Sequence, residues 1–129
     1  MRVRISGCVL ALLLLGGLPI VTEAFDINGL WNCSTLSEDS CAIFSQEGER
    51  VYMVLAGYYG DTLVVYYGSG VMEGDRIVFW THFTRKPPSW SDGRNELTIS
   101  PDGNTMRGRW FADGLSGDLE FVRLRRGER

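Results

Sequence analysis

His82 is the single histidine of the sequence, and histidine is the side chain most often used as a general base. As a general base it would need a nucleophile or an orienting carboxylate within hydrogen-bond reach. No Gly-x-Ser-x-Gly, His-Glu-x-x-His or phosphate-cradling glycine loop is present. The acidic residues Glu47, Glu49, Asp61, Glu73, Asp75, Asp92, Asp102, Asp113 and Asp118 fall mostly at turn positions, without the local signature of a catalytic pair. The chain therefore reads as non-enzymatic. A hydrolase or isomerase centred on His82 would require a carboxylate beside its ring.

The stronger chemical signal is aromatic. Trp80, Trp90, Tyr58, Tyr59, Tyr66 and Tyr67 accompany His82 in the middle of the chain. Rings with polar tips suit a cavity mouth or an interface, dry at one end and wet at the other. The bland alternative is strand packing, since Tyr and Trp are good strand formers. Trp80, His82, Tyr66 and Trp90 form the candidate ligand-binding set, for a small apolar or aromatic ligand. Arg85-Lys86, beside Pro87-Pro88-Ser89-Trp90, could hold an anionic group, or be a solvated strand end like Arg123 to Arg126.

Arg2 and Arg4, the apolar run Cys8 to Leu15 and the small-residue ending Thr22-Glu23-Ala24 predict a signal peptide over 1–24, cleaved after Ala24. The alternative is an uncleaved anchor over Ile5 to Val21, weakened by glycines and Pro19. Ile5-Ser6-Gly7-Cys8 has the look of a lipobox but precedes the apolar run, where a lipidation site should follow it. The remaining chain, 25–129, is one domain. Without Arg2, Arg4 and Glu23, the 13 basic and 16 acidic residues become 11 and 15, net −4, which favours neither nucleic acid nor an anionic membrane. The expected location is periplasmic or secreted, with membrane contact only through an uncleaved signal.

Of three cysteines, Cys8 leaves with the signal. Cys33 and Cys41 in an exported chain predict one disulfide, contributing about 2–3 kcal/mol by loop entropy. A free redox pair and a half metal site are the alternatives; one histidine argues against metal, and no cofactor is implied. Asn32-Cys33-Ser34 fits the glycosylation pattern, but an Asn on a strand is a poor acceptor.

These residues need a scaffold, and the scaffold signals are all β. No segment after residue 24 carries a sustained helical apolar pattern with caps. Strands are predicted over Ile27 to Ser34, Ala42 to Gln46, Arg50 to Ala56, Leu63 to Tyr67, Arg76 to Phe83, Glu96 to Ser100, Thr105 to Phe111 and Leu119 to Leu124, with Gly70 to Met72 read as the fourth strand bent by a glycine bulge. Glu47-Gly48-Glu49, Tyr58 to Asp61, Glu73-Gly74-Asp75 and Pro101 to Asn104 supply the turns. About eight antiparallel strands joined by hairpins favour a small up-and-down barrel, because closure pairs both edges. A two-sheet sandwich is the alternative, disfavoured by hairpin-length connections.

Such a barrel is just wide enough to be filled by side chains or to hold one small ligand. Trp31, Ile43, Met53, Leu55, Val65, Met106 and Trp110 are the candidate fillers. On the seventh strand the Met106, Gly108, Trp110 and Ala112 face is expected inside. On the fifth strand Ile77, Phe79, Thr81 and Phe83 oppose Val78, Trp80 and His82, and both faces are apolar enough to point inward.

Gly29-Leu30-Trp31 on the first strand, with Arg123 or Arg125 on the last, resembles the structural signature of the lipocalin and calycin barrels. The resemblance implies that Trp31 closes one end, that a last-strand Arg packs across its ring, and that ligands enter at the other end. Trp31-Asn32, Trp80, Trp90 and Trp110 are loosely similar to avidin-like barrels, whose Asn-to-Gly-Ser spacing is missing, so biotin binding is not carried over. The function expected is ligand binding at the barrel mouth. The alternative is a protein-interaction module of the bacterial cell envelope, an inhibitor or assembly partner with a packed interior, making contacts through Thr84 to Arg94 and the exposed tyrosines.

Overall fold

The structure, a computed structural model, describes residues 25–125. The expected signal segment and Arg126 lie outside the described residues. Eight strands follow one another: β1 (Gly29–Cys33), β2 (Cys41–Glu47), β3 (Arg50–Tyr59), β4 (Thr62–Glu73), β5 (Arg76–Arg85), β6 (Gly93–Ile99), β7 (Thr105–Ala112) and β8 (Leu115–Arg123). Each pairs antiparallel with its neighbours in chain order, and β8 pairs with β1, so the sheet closes into an up-and-down barrel. Period-2 alternation is plain on β3, where Val51, Met53, Leu55 and Gly57 are buried and the residues between them exposed.

The tight hairpins follow from glycine placement. Gly48, Gly60 and Gly74 open two-residue loops with φ near +60°, as a II′ turn requires, and Asp113-Gly114 has positive φ at both positions, as in I′. The two longer connections, 34–40 and 86–92, lie at the same end of the barrel, together with the 60–61 and 113–114 turns. That end is the mouth.

The opposite end is packed solid. Phe44 meets Trp31, Phe79 and Phe121 edge-on at 6.0, 5.8 and 5.3 Å between ring centroids. Such pairs add about 0.5–1.5 kcal/mol each beyond area burial. Trp31 is fully buried and its Nε1 donates to the Ile27 carbonyl at 3.0 Å. Over its ring lies the Arg123 guanidinium, 4.4 Å from the centroid. Arg123 also donates from Nε to Gly103 O (3.1 Å) and from its two terminal nitrogens to Asn28 O (2.9 Å) and Asp26 O (2.5 Å). One planar fork thus ties the entering segment, the 100–104 turn and the last strand together. Arg123, and not Arg125, fills this position.

The structure corrects several expectations. Cys33 and Cys41 are both free. Cys33 points into the barrel beside Trp31, whereas Cys41 shares the outward face of β2 with Ile43, because Ala42 and Phe44 take the inward positions. The 34–40 loop is closed without a disulfide. The Ser40 hydroxyl accepts from Cys33 N (3.0 Å), and the Asn32 amide donates to Ser37 O (3.0 Å) and Ser40 O (2.9 Å). Ile43 is no core filler: it is 49% exposed, and Val65 likewise lies on the outer face. β4 is continuous through Gly68 and Gly70, its register irregularity falling instead between Val65 and Tyr66. β8 starts earlier than expected, at Leu115.

The outer wall is divided chemically. On the β6–β8 side it carries the ion pairs Arg94–Glu96 (2.7 Å), Arg107–Glu120 (2.5 Å) and Arg109–Asp118 (3.0 Å), with Arg76 of β5 reaching Glu96 at 3.5 Å. Exposed pairs like these contribute little stability, about 0–1 kcal/mol each. They do keep that wall wetted. The β1–β5 side is largely apolar.

Candidate functional site

Register places the four candidate ligand residues on two sides of the wall. On β5 the inward set is Ile77, Phe79, Thr81 and Phe83, so Trp80 and His82 face out. Tyr66 of β4 points in and is buried. Trp90, on the 86–92 loop, folds back over the mouth, with its ring 5.8 Å from Phe83 and 4.9 Å from Tyr59. The structure therefore joins Tyr66 and Trp90 at one site and leaves Trp80 and His82 outside it.

That site is a recess of about 340 Å³ inside the mouth. Tyr66, Phe83 and Trp90 form a continuous aromatic wall, with Tyr66 and Phe83 at 5.1 Å. Trp110 of β7 forms the facing wall with Leu119 of β8. Trp110 is held there by Gly117, its cross-strand partner, since a Cβ at 117 would come within 2.6 Å of the indole nitrogen. Any side chain at 117 would push the indole into the recess. The volume is at the small end of ligand pockets. Roughly 150 Å³ holds a benzene, so a two-ring molecule fits the scale of this one.

A few polar groups converge on the recess. Tyr66 and Asn95 are buried, yet neither side chain hydrogen-bonds another among the described residues. No side-chain nitrogen or oxygen sealed from solvent is unpartnered among those residues. The Tyr66 hydroxyl and the Asn95 amide must therefore open onto the cavity. Burial pushes the Tyr66 phenol well above its ordinary range and raises the Cys33 thiol, so both stay neutral. The Thr81 hydroxyl is committed to Gly93 O at 3.3 Å. Asp113 and Asp118 sit at the rim, and Asp118 is already paired with Arg109. Apart from Asp113 and Asp118 the lining is apolar, aromatic and uncharged, with one amide and one phenol opening onto it.

His82 meets the condition set for it by the sequence: its Nδ1 lies 2.7 Å from Asp92 Oδ2. The other carboxylate oxygen accepts from Phe83 N at 2.8 Å. The Phe83 amide first, then the imidazole, hold the Asp92 carboxyl below its usual range. Both partners are about half exposed, and His82 also packs on Tyr67 at 5.3 Å. These contacts join the two ends of the 86–92 loop that carries Trp90. A second, shallower cleft of about 620 Å³ runs outside β5–β8 past Trp80, Arg94 and Phe111, open to solvent, with Arg94 stacked 4.5 Å over the Phe111 ring.

Phe83, Asn95 and Trp110, which line the recess, were not among the residues singled out for binding. Asn95 carried a usable signal: it stands two residues before Leu97 and four before Ile99, on their buried face. A polar residue at an inward position is the mark of a site. No protein-family model matches the chain, and searches of curated proteins and of solved structures give no match.

Proposed function

We propose that this chain is an exported, non-enzymatic binding protein that takes a small, uncharged, mainly aromatic molecule into the mouth of its barrel. One observation carries the reading: an aromatic-lined recess of about 340 Å³ into which the buried Tyr66 and Asn95 open, neither side chain hydrogen-bonded to another among the described residues. Apolar walls supply the affinity, and a few convergent polar groups supply orientation. The stack of Arg123 on Trp31 supports kinship with the lipocalin and calycin barrels, which close one end in that way and bind at the other. The expected signal segment over 1–24 favours a periplasmic or secreted location.

Titration with N-phenyl-1-naphthylamine, an uncharged aromatic probe, tests the reading. Saturable fluorescence enhancement at micromolar probe is expected. Trp110→Ala should weaken it roughly tenfold, the scale of one lost ring contact. Tyr66→Phe and Asn95→Leu should change probe selectivity more than probe affinity. Linear, non-saturating enhancement, or saturation indifferent to Trp110→Ala, would refute it.

A further inference from the structure

We propose that the outer wall of β3, β4 and β5 is a self-association surface covered by a second copy of this chain, an inference independent of the mouth. Tyr52, Val54, Tyr67, Val71 and Trp80 point outward there, with Ile43 of β2 beside them, and all six are 41–57% exposed. Register makes them neighbours. Ile43 stands opposite Val54 and Val54 opposite Tyr67, while Tyr52 and Trp80 flank Ser69 in the adjoining row. Five of the six stand on three adjacent strands about 10 Å across at the backbone, and Ile43 adds the next strand at the patch's edge.

The patch is a single chemical surface. No Asp, Glu, Lys or Arg points outward in its middle; the charges Glu47, Arg50, Glu73 and Arg76 stand at the hairpin ends and Arg85 at the far end of β5. Four of the five side-chain ion pairs among the described residues involve the other wall; the fifth, His82–Asp92, borders the patch beside Tyr67. The six side chains expose on the order of 500 Å², near the top of what monomers leave bare. With the small uncharged residues around them, that approaches the roughly 800 Å² per partner of a stable interface.

A second copy is the occupant these features select. A two-fold interface sets the same patch against itself, so any charge at its centre would face its own kind. This centre has none. The flanking charges are mixed in sign, which an anionic membrane would not select. The barrel has no free strand edge, so association must proceed face to face.

Sedimentation velocity on the purified chain, from about 1 to about 100 μM, spans the affinities open to an interface of this size. A dimer is expected. Val54→Glu should weaken it about 100-fold, since the two-fold would bring two carboxylates together in a desolvated centre. Val122→Glu, the same change made on β8, four strands away from β4, should leave the dimer intact. Tyr67→Ser, which adds no charge, provides a second weakening variant, and circular dichroism checks that each variant folds. A wild-type monomer throughout the range overturns the proposal. So does a dimer that Val54→Glu and Tyr67→Ser do not weaken.

Discussion

Replacing Arg123 tests whether the closed end is held by one residue. In Arg123→Leu the apolar stem still covers part of Trp31, but the indole loses its cation and three backbone carbonyls lose their donor. Each charge-assisted bond is taken at about 0.5–1 kcal/mol, below the usual range because the site is only half-buried and water can re-enter. The cation on the indole adds about 0.5–1 kcal/mol. The expected loss is therefore about 3 kcal/mol, out of the 5–15 kcal/mol typical of a domain. For about 100 residues this lowers Tm by roughly 12–24 °C. Arg123→Lys separates the contributions: it keeps a cation over Trp31 but cannot reach three acceptors at once, so about half the loss is expected. Urea denaturation followed by Trp fluorescence supplies the free energies, and probe binding at the mouth should persist in whatever fraction stays folded. If Arg123→Leu costs less than about 0.5 kcal/mol, or Arg123→Lys is as damaging as Arg123→Leu, the account of Arg123 as a three-way tie is wrong.

Three other outcomes follow from the geometry. Both thiols of the 25–129 region should titrate with Ellman's reagent in denaturant after aerobic purification, Cys41 reacting first in the native state because Cys33 is buried and its pKa raised; an intact mass that rises on reduction would restore the disulfide. Acid should release the 86–92 loop: Asp92 has a lowered folded pKa, so its contribution is present above the ordinary carboxylate pKa and is lost as pH falls through the lowered value. Trp90 emission should shift over that acid range, and Asp92→Ala should remove the step. Gly117→Ala should drive Trp110 off its strand and into the recess, lowering probe affinity about tenfold at little cost in stability; unchanged probe affinity would count against Trp110 as a wall of the site.

The barrel was legible because its punctuation is local. Gly48, Gly60 and Gly74 each sit where a hairpin loop demands positive φ, and the runs between them have strand length and composition. The misplacements share one cause. Inside and outside are told apart by polarity, and here the outer wall is itself apolar. Ile43 and Val65 therefore read as core, and the two faces of β5 could not be ranked. The same ambiguity grouped Trp80 and His82 with Tyr66 and Trp90, although alternation along β5 puts the first two outside. The start of β8 was hidden by Gly117 and Asp118, which resemble a turn but serve Trp110 and Arg109. The cysteine pairing was inferred from compartment and count alone, neither of which knows that adjacent strands present the two thiols to opposite faces.

The seam between the first and last strands sets the timing of folding as well as its end point. Arg123 reaches back to Asp26 across a separation of 97 residues, and Ser34 to Glu120 across 86. Loop-closure entropy must be met before those contacts return anything, which makes such topologies slow. Hairpins β2–β3, β3–β4 and β4–β5 can form as the chain emerges, but the Trp31 plug cannot seat until β8 arrives. The barrel thus stays open until its final strand is present, and a chain cut just before Leu115 would leave an open sheet with β1 and β7 as two unpaired edges.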